Sequence, residues 1–368
     1  MPLSEVLHQE GPQRYVQQAL RSGRLPHALI FAGPDGVGKR MFAERLAALL
    51  LCETPSKSKE AVDACGACVN CELSRAGTHP DFHVVHRLLA KFHPSDTVRR
   101  RKATQLGIDV IRHFLIGPVG MRPSHASHKV FVVNEAELMN AEAQNATLKT
   151  LEEPPNNSHL ILIAKSADAM LETIRSRCQT IQFASLPTAF VREKLAEAQG
   201  GLSDDQAHFI SEMTDGSIGR AVWLASIGIQ DMVSDAAAMI LEAQRDPVAA
   251  AATASDAAKS LSEKIKTGDD LDDGVDTNLQ RLGQTTQIAL LTALLRECMR
   301  LSVGLEPAPL LPDSLRGAAA GATTAHIAAA IRSLNTADFY VGRSANTNLI
   351  FDSIGIALRR AFERQTAA

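Results

Sequence analysis

The stretch 25–40, Leu-Pro-His-Ala-Leu-Ile-Phe-Ala-Gly-Pro-Asp-Gly-Val-Gly-Lys-Arg, constrains the fold more than any other part of the chain. Ala28 to Ala32 reads as a buried strand, and Phe42, Leu46, Leu49 and Leu50 follow at helical spacing. Between them, Gly33, Gly36 and Gly38 let backbone N–H groups approach a phosphate closely. Lys39 stands at the helix start, where the helix dipole also favours an anion; ATP or ADP is the ligand class that suits this pattern, and the residues leave open whether it binds. The last position departs from the pattern. Where Ser or Thr places a hydroxyl on magnesium, this chain has Arg40.

Further strands follow. Asp81 to Val85 forms a second one, and Ile108, Ile111 and Leu115 share one helical face after it. Lys129 to Val133 is a third, ending in Asn134-Glu135. A nucleotide hydrolase wants Asp-Glu at this place, the aspartate for magnesium and the glutamate for the attacking water. Asn134 is neutral and a poor ligand for a hard cation, and Glu135 also suits an ordinary helix start. With Arg40 and Asn134 both departing, no catalytic magnesium site and no intrinsic ATP hydrolysis are expected. A helix over 135–152 is predicted to stop at Pro154-Pro155.

His159 to Ala164 is a run of branched residues without alternation, which suits a parallel sheet covered on both faces. Ser166, just past it, is where such folds place a polar group near a terminal phosphate; a loop residue there also needs no function. A short helix from Met170 to Ser176 delivers Arg175, Ser176, Arg177 and Cys178 before a last strand, Thr180 to Phe183. Five strands alternating with helices predict a parallel α/β sheet.

Four of the six cysteines cluster as Cys52, Cys65, Cys68 and Cys71. Two-residue gaps let tight turns present neighbouring sulfurs to one ion, and four thiolates fill a tetrahedron with no open position. A structural zinc is therefore expected, stapling an insertion over 52–80. No run of about twenty apolar residues appears and no basic-then-apolar leader opens the chain, so no membrane role and a cytoplasmic location are expected. A net charge of −3 argues against a strongly basic nucleic-acid binder. The run Arg99-Arg100-Arg101-Lys102 is a local exception, readable as a solvated loop or as a DNA-backbone contact.

Residues 187–225 read as helices, with Arg220 at the start of the last. The stretch 246–284 turns Ala-rich and then Asp/Gly/Lys-rich, and is expected to be a linker or variable insertion. Apolar helical spacing resumes from 285 onward.

Leu25-Pro-His-Ala-Leu29, the four-cysteine insert, Leu148-Lys-Thr-Leu-Glu-Glu-Pro-Pro155 and Thr173-Ile-Arg-Ser-Arg-Cys-Gln179 occur in one order. Together they resemble the delta-prime subunits of bacterial DNA polymerase III clamp loaders, close kin of the gamma/tau ATPase subunits. The resemblance covers residues 12–225. It implies an AAA+ P-loop module over 1–185 carrying the zinc insertion, a small helical lid over 186–245 and a C-terminal helical collar domain over 285–368.

It further implies a hetero-pentameric ring with gamma/tau and delta subunits. Through that ring the chain would meet the sliding clamp and primer-template DNA, as part of a DNA-directed DNA polymerase holoenzyme. Arg177 matches the arginine that acts in trans on nucleotide held by a neighbour, and Arg220 matches the lid arginine that touches bound nucleotide in active members. Three rival readings remain at this point: an active gamma/tau-type ATPase, a repair-related AAA+ protein, and a zinc-containing scaffold with a fossil nucleotide fold.

Overall fold

The computed structural model describes residues 2–58, 61–101, 103–155, 157–268, 276–307, 310–342 and 346–362. The chain divides into two compact units, Met1–Leu186 and Pro187–Ala368.

The first unit is built on a parallel sheet. Helix α1 (Glu10–Arg21) precedes β1 (Ala28–Ala32) and α2 (Lys39–Leu51). A small antiparallel hairpin, β2 (Ser56–Lys57) with β3 (Val62–Asp63), and helix α3 (Val69–Ala76) form the insert. The sheet continues with β4 (Phe82–Val85), and the short helices α4 (Asp96–Arg99), α5 (Ile108–Ile111) and α6 (Gly117–Val119) lead to β5 (Lys129–Val133). Helix α7 (Ala141–Glu152), β6 (Ser158–Ala164), α8 (Glu172–Arg175) and β7 (Gln179–Gln182) complete it. The strand order is β4-β5-β6-β1-β7 and every pairing is parallel.

β1 is buried along its whole length because strands pair on both sides and helices cover both faces. One face packs as an aromatic triad, with Phe31, Phe42 and Phe183 ring centroids 5.1 to 5.6 Å apart. The other face faces a cluster that includes Ile30, Phe131, Leu162, Leu106 and Ile111. The loop after β1 therefore opens at the carboxyl end of the sheet, where open α/β folds bind ligands. Buried Gln9 fixes it from behind: its amide donates to the carbonyls of Val37 (3.2 Å) and Ala184 (2.9 Å).

The helix expected from residue 135 begins later. Glu135 has φ +55°, Ala136–Leu138 forms a single 3-10 turn, and Asn140 caps α7 by accepting the N–H of Ala143. That cap satisfies an orphan donor of the first turn and sets the true helix start.

Among the described residues the second unit contains helices and no strands. It comprises α9 (Thr188–Ala198), α10 (Asp204–Met213), α11 (Ile218–Ser226), α12 (Val233–Glu242), α13 (Pro247–Gly268), α14 (Asp276–Ser302), α15 (Asp313–Ala319), α16 (Thr324–Gly342) and α17 (Thr347–Ala361). The stretch 246–284, expected as a linker, is helical over Pro247–Gly268 and again from Asp276. Ala250, Ala251, Ala254, Ala258, Leu261 and Ile265 form a buried stripe on α13. Small residues let the backbones approach: a Cβ on Gly355 of α17 would meet the Pro247 carbonyl at 2.1 Å. An alanine stripe buries little area per residue, which is why its composition resembles that of a linker. Residues 269–275, the Asp/Gly-rich part, lie outside the described residues. Among the described residues no single helix is long and apolar enough to cross a membrane.

Candidate functional site

The loop 33–39 closes around its own lysine. Gly36 and Gly38 have φ of +70° and +97°, the left-handed region in which glycine avoids a Cβ penalty. Gly33 is glycine for a further reason: a Cβ there would lie 2.4 Å from the Phe183 carbonyl oxygen. Lys39 is buried, and its Nζ donates to the carbonyls of Gly33 (2.5 Å) and Pro34 (2.6 Å), with Asp35 Oδ1 at 3.9 Å. Burial lowers its pKa, and Asp35 and Glu137 act in the opposite sense.

Two residues that the sequence did not single out complete the cradle. Lys165, at the end of β6, pairs with Asp35 at 2.8 Å. Burial works against its charge, but Asp35 outweighs burial and holds its pKa up. Glu137 has its pKa raised by burial, and its Oε2 is buried without a hydrogen-bond partner. Ser166 is exposed, and its hydroxyl accepts the Asp168 N–H to cap a single turn.

Of the positions that would serve magnesium, Arg40 and Glu135 are drawn into ion pairs. Arg40 is exposed and pairs with Glu44 one turn along α2, at 2.8 Å. Asn134 ends β5 with its Oδ1 buried and unpartnered. Glu135 is drawn to Arg87, Nε to carboxylate oxygen 3.2 Å, while the Arg87 Nη1 donates to Ala103 O at 2.8 Å.

Arg177 follows α8. Its Nη2 meets Glu152 Oε1 at 2.6 Å and its Nη1 donates to Thr173 O at 3.0 Å. Glu152 is the last residue of α7, so the Leu-Glu-Glu-Pro-Pro segment and the Ser-Arg-Cys segment meet through one ion pair. Arg220 belongs to the second unit, where it is exposed in the first turn of α11, a helix capped by the Ser217 hydroxyl. In the basic run, Arg99 pairs with Asp96 and Arg101 with Asp109, while Lys102 lies outside the described residues.

The four cysteines converge. Cys52 ends α2, Cys65 lies in the turn after β3, and Cys68 and Cys71 sit at the cap and first turn of α3. All four sulfurs lie within 4.8 Å of one another. Sulfurs at about 2.3 Å from a tetrahedral zinc are about 3.8 Å apart. The Cys52–Cys68 and Cys65–Cys71 pairs are each at 3.9 Å. Two backbone N–H groups, of Cys65 and Cys68, donate to the sulfurs of Cys52 and Cys65 at 3.3 Å, as suits thiolate acceptors. The donor set fits zinc in both chemistry and spacing, and the four positions form a structural zinc-binding site. In the metal-free chain burial pushes the Cys71 thiol up to about 12, so metal binding there displaces a proton.

A parallel α/β sheet carries a lysine-bearing glycine loop at its carboxyl edge and a tetrathiolate insert, the arrangement of a P-loop-like nucleotide-binding module. Residues 8–187 match the family described as DNA polymerase III, delta subunit. The delta-prime subunit of Pseudomonas aeruginosa is 39% identical over 203 residues, covering 54% of this chain and 56% of that protein. The delta-prime subunit of Bacillus subtilis is 30% identical over 212 residues, covering 58% and 57%. A gamma/tau subunit of Mycobacterium tuberculosis is 32% identical over 208 residues, covering 56% of this chain and 33% of that protein. The match thus spans little more than half the length of the delta-prime relatives. Residues 8–187 are thus similar to the delta-prime and gamma/tau subunits of DNA polymerase III.

Proposed function

We propose that the protein is a delta-prime-like subunit that does not hydrolyse ATP itself, but donates Arg177 to nucleotide bound by a neighbouring ATPase subunit. The observation that carries this reading is the contrast between two sites in one unit. Arg177 holds its guanidinium at the surface, 36% exposed, with part of its donor set unused by Glu152 and Thr173. A guanidinium fork there suits the charge that develops on a transferring γ-phosphate.

The acceptor side is compromised at several points. Arg40 stands where a metal hydroxyl is needed, Asn134 where a metal carboxylate is needed, and Glu135 is paired with Arg87. Lys39 is turned onto its own loop, and Asp35 bridges Lys39 and Lys165. A nucleotide must displace these contacts before it seats, and on this reading no metal-assisted turnover occurs in this cradle. On this reading the partners are gamma/tau and delta subunits in a hetero-pentameric ring in the cytoplasm. The helices of 186–245 act as a lid that carries Arg220, and those of 285–368 as a collar. ATP-driven loading of a sliding clamp onto primed DNA is the activity supported.

The test is reconstitution with the other loader subunits of the same organism. Arg177→Ala is expected to lower clamp- and primed-DNA-stimulated ATP turnover by roughly tenfold or more, as loss of a trans arginine does. Unchanged turnover in a fully assembled complex overturns the role.

A further inference from the structure

We infer that Glu152 is a positioning residue for Arg177: it holds the guanidinium in the place from which a neighbouring nucleotide is reached. The inference rests on the trans-arginine reading of Arg177. An arginine on a surface turn has several rotatable bonds, and each encounter with a phosphate must freeze them. Here much of that ordering is done beforehand. Nη2 meets Glu152 Oε1 at 2.6 Å and Nη1 donates to Thr173 O at 3.0 Å, with Ser176 Oγ at 3.4 Å. The two main anchors lie on different elements, the end of α7 and the turn of α8, so they fix the side chain from two directions. The remaining N–H donors stay available for an incoming anion.

The anchor itself is rigid. Helix α7 is capped at its start by Asn140, and its Gln144 amide donates to Met139 O at 3.0 Å and accepts the Leu171 N–H at 2.8 Å just before α8. Thr147, fully buried, donates to Ala143 O at 2.7 Å. Thus the helix carrying Glu152 is tied to the start of the turn that leads to Arg177 by a part-buried hydrogen bond independent of the ion pair. Glu152 is itself half exposed, so replacing its side chain removes the anchor without opening the core.

Glu152→Ala and Glu152→Lys are assayed in the reconstituted loader beside wild type, Arg177→Ala and the double variant Glu152→Ala/Arg177→Ala, with assembly checked by gel filtration. Both Glu152 variants are expected to lower kcat for stimulated ATP hydrolysis by about tenfold, as loose placement of a charged group does, with KM for ATP unchanged. Glu152→Gln keeps an acceptor for Nη2 and is expected to restore most of that loss. The double variant is expected to be no slower than Arg177→Ala alone, because Glu152 acts through the arginine. Arg177→Ala slow while both Glu152→Ala and Glu152→Lys run at the wild-type rate overturns this inference alone. Additive loss in the double variant also overturns it, assigning Glu152 a separate structural role. Arg177→Ala at the wild-type rate overturns the trans-arginine reading and the inference with it.

Discussion

Asp81 shows how much one residue can organise. It is fully buried just before β4, and its carboxylate accepts three consecutive backbone N–H groups, from Ser124 (2.6 Å), His125 (2.7 Å) and Ala126 (2.8 Å). Burial works to raise its pKa, but these donors outweigh burial and hold it below the usual value. A lowered folded pKa means that the stabilisation is complete above the unfolded value of about 4 and is lost as pH falls through the folded value. Asp81→Asn turns an amide donor toward N–H donors, and is expected to cost about 2–4 kcal/mol near neutral pH. Urea titrations of both proteins should show that gap narrowing below about pH 4; a gap independent of pH would contradict the assignment. His159 adds an earlier loss: burial, with His128 nearby, pushes it down to about 4, so it stays neutral in the fold while the unfolded residue takes up a proton. At this scale the sequence was partly legible. Gly33, Gly36, Gly38 and Lys39 follow from local spacing alone. The Asp35–Lys165 and Glu152–Arg177 pairs join residues far apart in the chain, and only the strand order and helix ends bring them together.

Among the elements, the cysteine insert depends most on something other than a hydrophobic core. Among the described residues its hairpin pairs only Ser56 with Asp63 and Lys57 with Val62, and α3 has only Asn70 and Cys71 buried. Gln17 of α1 supports it by exchanging two hydrogen bonds with the backbone of Val62, at 2.8 and 3.0 Å. So little buried surface leaves the metal as the main staple. The purified chain is expected to carry about one zinc, and Cys68→Ser to lose it. The variant should also show faster proteolysis within 52–80 while the sheet's far-ultraviolet signal is kept. Metal content equal to wild type in that variant would contradict the tetrathiolate assignment. The insert was legible because thiol spacing reports directly on coordination. Helix α13 was not, because its buried stripe is alanine and its packing depends on the close approach of α17 at Gly355.

At the scale of the whole molecule, sequence pattern indicated the parallel sheet and the helical second half, since long unalternating apolar strands and repeated helical spacing are strong signals. It also exposed the mismatch between a well-formed glycine loop and missing metal ligands. The structure adds that Lys39 is held by its own loop and Glu135 by Arg87, contacts that no local pattern reports. On the proposed reading, a chain built in this way assists hydrolysis on a neighbour and performs none of its own. The decisive measurement is steady-state phosphate release from magnesium-ATP by the isolated, full-length chain, run beside its Lys39→Ala variant. The expected result is no release above background from either protein. Sustained turnover by the wild-type chain, abolished in Lys39→Ala, would contradict it.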